Sequence, residues 1–551
     1  MNACKTLSLV LSLVISVAGC GGGGGEPAPA PPITPPPTAI SKADASRFLN
    51  QSTFGATETA AQQLIDTGYE AWIDAQMQLP AATQLPHLQS LPPPMFPNEQ
   101  QADRLDIWFR NALHGDDQLR QRVAFALSEL FVVSQFGALN DQPWAMADFY
   151  DLLARHAFGN YRDLLEDVTL HPAMGVYLSM LGNQKPNAAR NIRPDENYAR
   201  EVMQLFSIGL VELNNDGSVV LDINGQPVPV YDQSVIEGFA HVFTGWSYAG
   251  FADLRAAYAT NENQVQPMQL YPDFHDSGAK NLLGGVQVPA GQTGEQDLDA
   301  ALDNLFNHPN VGPFVAIRLI QRLTSSNPSP AYIGRVAAAF NNNGSGVRGD
   351  LAAVVRAILL DVEARPKNVS ELDGKIKEPL LRLTQLWRNY DARSEAGGYD
   401  FSVAYIVLGQ GPQQSPSVFN FFSPFYAPPG EIRDLGLVAP EMQIATEFQN
   451  TFVTNWMFYQ TFFYNWMVDR NAPDYSADSI LIDFSEESGI AADPALLVAR
   501  VSDKLLGGVI SDTLRGEVIG MVERIPASES VLRAAEAIYL VVTSPEYAYQ
   551  R

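Results

Sequence analysis

Residues 104–131 read Arg-Leu-Asp-Ile-Trp-Phe-Arg-Asn-Ala-Leu-His-Gly-Asp-Asp-Gln-Leu-Arg-Gln-Arg-Val-Ala-Phe-Ala-Leu-Ser-Glu-Leu-Phe. Leu105, Trp108, Phe109 and Leu113 recur at three- and four-residue spacings, and Leu119, Val123, Leu127, Leu130 and Phe131 repeat the pattern. That period gathers apolar side chains into one stripe, with Arg104, Arg110, Arg120 and Arg122 among the residues between, so the stretch is predicted to be amphipathic helix. The same stripe returns over residues 146–170, 196–213, 311–324, 330–340, 350–361, 376–390, 440–468, 494–507, 512–525 and 530–543. The predicted fold class is therefore mainly α, one large multi-helix body over residues 41–551.

From Val211 to Tyr231, Asn215-Asp-Gly217 and Asn224-Gly225 punctuate short β-branched runs, which predicts a small β-hairpin insertion. Strand–helix alternation, the mark of a parallel sheet, is missing. Residues 311–365 and 493–551 can be laid beside each other as two sub-repeats: Val315-Ala-Ile-Arg-Leu-Ile-Gln-Arg-Leu323 resembles Leu497-Val-Ala-Arg-Val-Ser-Asp-Lys-Leu505, and each stretch reads helix, turn, helix, loop, helix.

The chain has 551 residues, 46% hydrophobic and 10% aromatic, which argues for a packed body and against disorder. Its 35 basic and 61 acidic residues leave a net charge of −26. A surface so negative repels phosphate backbones, so no nucleic-acid partner is expected.

The N-terminus reads as an export signal. Lys5 precedes the apolar run Thr6 to Val17, and Val17-Ala-Gly-Cys20 resembles a bacterial lipobox. At 1.5 Å per residue the run spans about 18 Å, short of the roughly 30 Å hydrocarbon core, so residues 1–19 are expected to be cleaved off. Cys20 is then the lipidation site, anchored in the membrane through its acyl chains. Residues 20–40, with five glycines and then Pro35-Pro-Pro37, form a flexible to extended stalk of up to about 60 Å. With Gly21 and no aspartate after the cysteine, the resemblance to Gram-negative lipoproteins implies the outer membrane or the cell-envelope surface. Cys4 and Cys20 are the only cysteines, so the mature body has no thiol for a disulfide, a metal or a nucleophile.

HExxH, GxSxG, Walker and CxxC signatures are absent. The best polar constellation is Pro194-Asp-Glu-Asn-Tyr-Ala-Arg-Glu-Val-Met-Gln-Leu-Phe206. Proline and two acids suit a first helical turn, and Asn197, Arg200, Glu201 and Gln204 fall within one arc of about 100°. Such a stripe can orient a polar ligand through Asn197 and Gln204, with Arg200 and Glu201 as candidate catalytic groups; its structural alternative is an Arg200–Glu201 network joining helices.

Histidines number seven. His171 and His308 precede proline, where a helix cap is expected, and His171 is also a candidate ligand-binding residue. His275-Asp276, in a loop with Ser277, Gly278 and Lys280, is a candidate catalytic and metal-binding pair, with Lys280 in ligand binding. No motif requires a cofactor. With carboxylates and amides as the available donors, calcium or magnesium is the metal type to expect, at Asp276 or at the turns around Asp216, Asp222 and Asn224. Aromatic residues crowd 419–426 and 452–466, and their expected place is the core.

At Arg47-Phe-Leu-Asn-Gln-Ser-Thr-Phe-Gly55, His171-Pro-Ala-Met174, Glu196-Asn-Tyr-Ala-Arg-Glu201, Phe243-Thr-Gly-Trp246, His275-Asp276 with Lys280, Pro416-Ser-Val-Phe-Asn420 and Thr543-Ser-Pro-Glu-Tyr547, the chain resembles a bacterial family catalogued as domain of unknown function 1800. Gln204 departs from the acid usual in that family. The resemblance implies an exported, mainly helical protein without an established reaction, and a partner of the exported sulfatase or phosphatase type. Two functions follow as expectations: a lipid-anchored binding or scaffold module for a partner protein or surface glycan, or an envelope hydrolase or transferase using the Glu201 stripe and the His275/Asp276 loop.

Overall fold

In a computed structural model, which describes residues 39–258, 263–365, 374–467 and 476–550, the quoted stretch forms two helices, Gln100–His114 and Gln118–Ser128. The signal, Cys20 and nearly all of the stalk lie outside the described residues. Trp108 stands edge-on to Phe54 at 5.2 Å and packs on Phe125, while Phe109 meets Trp387 at 5.5 Å, so these helices join the N-terminal part of the body to its later helices. Two of the interspersed arginines are not on the solvent side. Arg104 and Arg122 are fully buried; Arg104 bonds Gln101, Gln135 and Gln413, and Arg122 donates to the Arg322 carbonyl at 2.6 Å. A stripe reading sorts residues by polarity and cannot see a distant helix arriving with an acceptor.

The described residues hold twenty-five α-helices and three two-stranded antiparallel sheets: Trp246–Ser247 with Gln269–Leu270, Lys280–Asn281 with Gln287–Val288, and Lys375–Ile376 with Tyr549–Gln550. The fold is mainly α with small β-hairpins. Helix starts follow capping chemistry: Thr293 and Gln296 form a capping box, and Ser329 and Asp493 cap helices that begin with proline. The 211–231 stretch is a meander of single bridges, Val211 to Pro229, Leu213 to Val219 and Leu221 to Pro227. One hydrophobic core runs through nearly the whole body, from Ala45 to Tyr547.

Helices Val311–Leu323, Pro330–Asn341 and Leu351–Leu360 are built like Pro494–Leu506, Asp512–Glu523 and Ser530–Val542. In each set a serine caps the second helix and is clasped by a glutamate that follows the third. Ser329 donates to Glu363 at 2.6 Å, and Ser511 bonds Glu546 through its backbone N–H at 3.0 Å and its hydroxyl. A glutamine amide caps the end of each first helix: Gln550 on the Leu323 carbonyl at 2.8 Å, Gln385 on that of Leu505 at 2.9 Å. Ser329→Ala and Ser511→Ala are each expected to cost about 1 kcal/mol, the ordinary worth of a cap. Matched urea denaturation curves check the equality, and a cost at one clasp alone would show that the two sets differ in construction where it matters.

Candidate functional site

The polar stripe lies on the Asn197–Gln204 helix, which packs against the Gln233–Val242 helix. Its apolar arc, Tyr198, Val202 and Met203, is buried, and Asn197 is exposed. Arg200 does not pair with Glu201. Adjacent helical residues diverge by about 100°, so Arg200 reaches back one turn to Glu196 at 2.6 Å and across to Gln233 at 2.9 Å, and Gln233 donates to Glu196 at 3.0 Å. Glu201 is half-buried, with one carboxylate oxygen that finds no hydrogen-bond partner among the described residues. Burial pushes its carboxyl above the ordinary range against the pull of Arg200, and burial together with the nearby Glu201 raises the Tyr231 phenol to about 12.

A carboxyl raised in the folded state adds stability below the unfolded pKa and loses it as pH rises through the folded one. Glu201→Gln is therefore expected to leave melting at pH 7 unchanged or slightly higher, and to show no gain at pH 4. Thermal melts at both values check this; a clear loss at pH 7 would mean that the carboxylate is paired.

His275, Asp276 and Lys280 gather in a layered cluster. Gly245 has φ +88°, and a Cβ there would meet the His275 backbone N at 2.9 Å, so only glycine lets Phe243-Thr-Gly-Trp246 lie against His275. Within the cluster, His275 is buried, its Nδ1 2.9 Å from the Thr244 carbonyl and its Nε2 3.0 Å from Asp297. Lys280, also buried, bonds the same Asp297 oxygen and donates to the carbonyls of Asp276 and Gly278. That hold shapes the loop on which Asp276 bonds His241 Nδ1, and these two side chains remain partly open to solvent. Against the cost of its burial, the Gly278 N–H, His241 and Lys280 hold Asp276 below the usual carboxylate range. His241 and Asp297 are the members that sequence reasoning missed.

The stripe and this cluster share one helix without converging. Gln233 touches the stripe and His241 the cluster, eight residues and about 12 Å apart. His171 lies elsewhere, buried, its Nδ1 accepting from the Ala173 N–H as a helix cap and its Nε2 3.3 Å from Asp148; burial lowers its pKa against that carboxylate. His308 accepts from the Asn310 N–H but is not the cap expected of it, because the helix begins at Val311 with Asn310 as its N-cap. Asp216 and Asp222 close hairpin turns through Ser218, Asn224 and Gln226. Among the described residues no group of three or more His, Cys, Asp or Glu side chains is placed to hold a metal ion, and no helix is long and apolar enough to cross a membrane.

A second charged cluster was not singled out from sequence. Glu129, Glu378, Glu441, Arg122, Arg322 and Lys375 meet in the interior. The Gln410 amide bridges Glu129 at 3.2 Å and Glu378 at 2.6 Å, Lys375 lies 3.4 Å from Glu378 and 3.0 Å from Glu441, and Arg322 lies 3.3 Å from Glu129. Its one sequence signal is Glu129 standing between Leu127 and Leu130 on an apolar stripe. Gly344-Ser-Gly-Val-Arg-Gly349 has dinucleotide-fingerprint spacing, yet it joins helices Pro330–Asn341 and Leu351–Leu360 with no strand before it, so it lacks the context that motif needs.

The aromatic crowds divide. Phe422 and Phe462 are buried, but Phe419 and Phe425 are 59% and 68% exposed, and Phe452 and Tyr459 also reach solvent, so the core expectation fails for these rings. Phe425 is backed by the Arg318 guanidinium at 4.6 Å.

No curated protein matches the chain, and no solved structure does. A family model described as a protein of unknown function, DUF1800, matches residues 47–549, which takes in the stripe, both charged clusters and the exposed rings. The chain belongs to the DUF1800 family.

Proposed function

We propose that the protein is a lipid-anchored binding module of the cell envelope, held at the outer membrane through Cys20 and offering its body to a partner protein or a surface glycan. One observation carries this reading: the buried candidate groups His275, Lys280 and Asp297 are engaged with one another, while large rings at Phe419 and Phe425 stand in solvent. Exposed rings of that size favour a partner surface that covers them. An exported sulfatase- or phosphatase-type protein is the partner that the family resemblance suggests.

The full chain with Phe419 and Phe425 both changed to serine, titrated against envelope fragments of the producing cell, is expected to lose at least tenfold in affinity with its melting unchanged. Undiminished binding would remove the aromatic face from the reading. Cys20→Ala is expected to release the protein from the membrane fraction or to block its processing; a cleaved mature species that still sediments with membranes contradicts the anchor.

A second reading, an envelope hydrolase or transferase, is favoured by the partly exposed His241–Asp276 pair, in which a carboxylate fixes Nδ1 and so leaves the other ring nitrogen as the one to move protons. In that reading His241→Ala abolishes turnover and leaves folding intact.

A further inference from the structure

We propose that the loop over residues 183–195 is a binding site for a compact oxyanion, a phosphate or sulfate monoester carried on an otherwise neutral sugar. It is a second contact surface, built from residues other than the aromatic rings. For its purpose it rests on the surface glycan of the binding-module reading, whose chemical class it names; its construction stands on the loop alone.

On a chain of net charge −26, residues 182–194 hold Lys185, Arg190 and Arg193 and no acid. All three cations are exposed, and among the described residues none of their side chains makes a hydrogen bond, an ion pair or a ring contact. That sets the loop apart. Exposed and half-buried cations elsewhere are mostly engaged, as Arg162 is with Glu166 and Asp303, and Arg335 with Asp361. Arg255 and Arg524 are the other exposed cations without a side-chain partner among the described residues, and neither belongs to such a group. The acids that follow the loop are taken: Asp195 accepts the Asn197 N–H at 2.8 Å, and Glu196 pairs with Arg200 at 2.6 Å.

The backbone of the loop is fixed in advance. Asn183 is buried and clamps the two ends, its side-chain oxygen accepting the Asp195 N–H at 2.9 Å and its amide donating to the Asp195 carbonyl at 3.3 Å. Inside the clamp, Asn187 and Ile192 exchange both backbone hydrogen bonds at 3.0 Å. The Asn187 side chain also accepts the Arg190 N–H at 3.1 Å, and Asn191 closes the turn at φ 51°, a left-handed conformation that asparagine tolerates. Pro186 and Pro194 restrict φ on either side of the bridge. Lys185 and Arg193 therefore flank the bridge while Arg190 stands on the turn. Three long cationic side chains leave one small frame whose backbone has no further freedom to lose on binding.

Charge chooses the ligand. A guanidinium offers paired N–H donors that match two oxygens of a tetrahedral oxyanion, and an ammonium adds a compact third contact. The acidic body repels an extended polyanion or an acidic protein, whereas a single ester group meets the loop within a Debye length of about 8 Å at physiological salt. The fitting ligand thus carries its charge at one point. The loop is also rooted on the frame of the His241–Asp276 pair: the Asn183 carbonyl accepts the Gly245 N–H, and the Lys185 N–H donates to the Phe274 carbonyl, both at 2.8 Å. An ester held here is carried by the same frame as the imidazole of the second reading.

Calorimetric titration of the full chain at low salt with glucose 6-phosphate, glucose 6-sulfate, inorganic phosphate and glucose tests the site. The anions are expected to bind saturably at one site and glucose not at all. Lys185→Gln, Arg190→Gln and Arg193→Gln together are expected to weaken binding at least tenfold with melting unchanged. No saturable binding by the natural chain, or a triple variant that binds as well, overturns the proposal. Inorganic phosphate bound more tightly than the sugar esters overturns the glycan as carrier, and long-chain polyphosphate bound more tightly per phosphate group overturns the compact ligand. If the triple variant fails to fold, Arg190→Gln alone decides, with a loss of threefold or more expected and undiminished affinity overturning the site. The chain with Phe419 and Phe425 changed to serine must keep this binding, so the loop and the aromatic face fail separately.

Discussion

Asp297→Ala is expected to cost about 3 to 5 kcal/mol of folding stability, read as a lower urea midpoint at unchanged slope. The Lys280 ammonium and the His275 Nε2 both meet this one carboxylate, the acid they share. Without it a positive charge is left in a dry interior with only the Asp276 and Gly278 carbonyls to solvate it. A double change, Lys280→Met with Asp297→Leu, removes the stranded charge and is expected to recover most of the loss. It also takes away the donor that shapes the loop, so the recovered protein has a slacker His241–Asp276 bond. An NMR signal from the His241 ring proton, present in the natural chain and broadened in the double variant, separates stability from site geometry. If Asp297→Ala melts like the natural protein, the cluster carries no such weight.

Gly238→Ala is expected to be as damaging, by about 3 kcal/mol or more, for a different reason. A Cβ at Gly238 would stand 1.8 Å from the Asn281 carbonyl oxygen, a backbone atom with nowhere to swing. The Gln233–Val242 helix must then lift off the Lys280–Asn281 strand, which carries His241 away from Asp276. Thermal melting and loss of the same ring-proton signal should fall together, and an alanine variant with natural melting would contradict the close approach.

Sequence reasoning reached what depends on neighbours along the chain. The helical stripes, the hairpin turns at Asn215-Asp-Gly217 and Asn224-Gly225, the histidine cap before Pro172, and the His275-Asp276-Lys280 loop are all set within a few residues. It missed what depends on arrival from afar. Asp297 meets His275 from 22 residues away, and Gln410 meets Glu129 from 281. Neither distance leaves a mark on local periodicity. The Arg200–Glu201 pairing failed on helix geometry itself, since residues i and i+1 look in different directions and Glu196, one turn back, was the nearer acid. Phe419 and Phe425 were read as core because aromatic density ordinarily signals burial, and it is their place on an irregular segment that brings them out.

The strand Tyr549–Gln550 pairs with Lys375–Ile376, and Gln550 caps the end of the Val311–Leu323 helix from 227 residues away in sequence. Lys375 is also the cation that Glu378 and Glu441 share. A chain delivered from its N-terminus thus has the middle of its interior waiting for residues made about a third of its length later. Contacts of such long separation slow folding, because loop closure precedes any reward. Under the proposed export as an unfolded thread, that delay would keep the leading part pliable until the trailing part has followed it through.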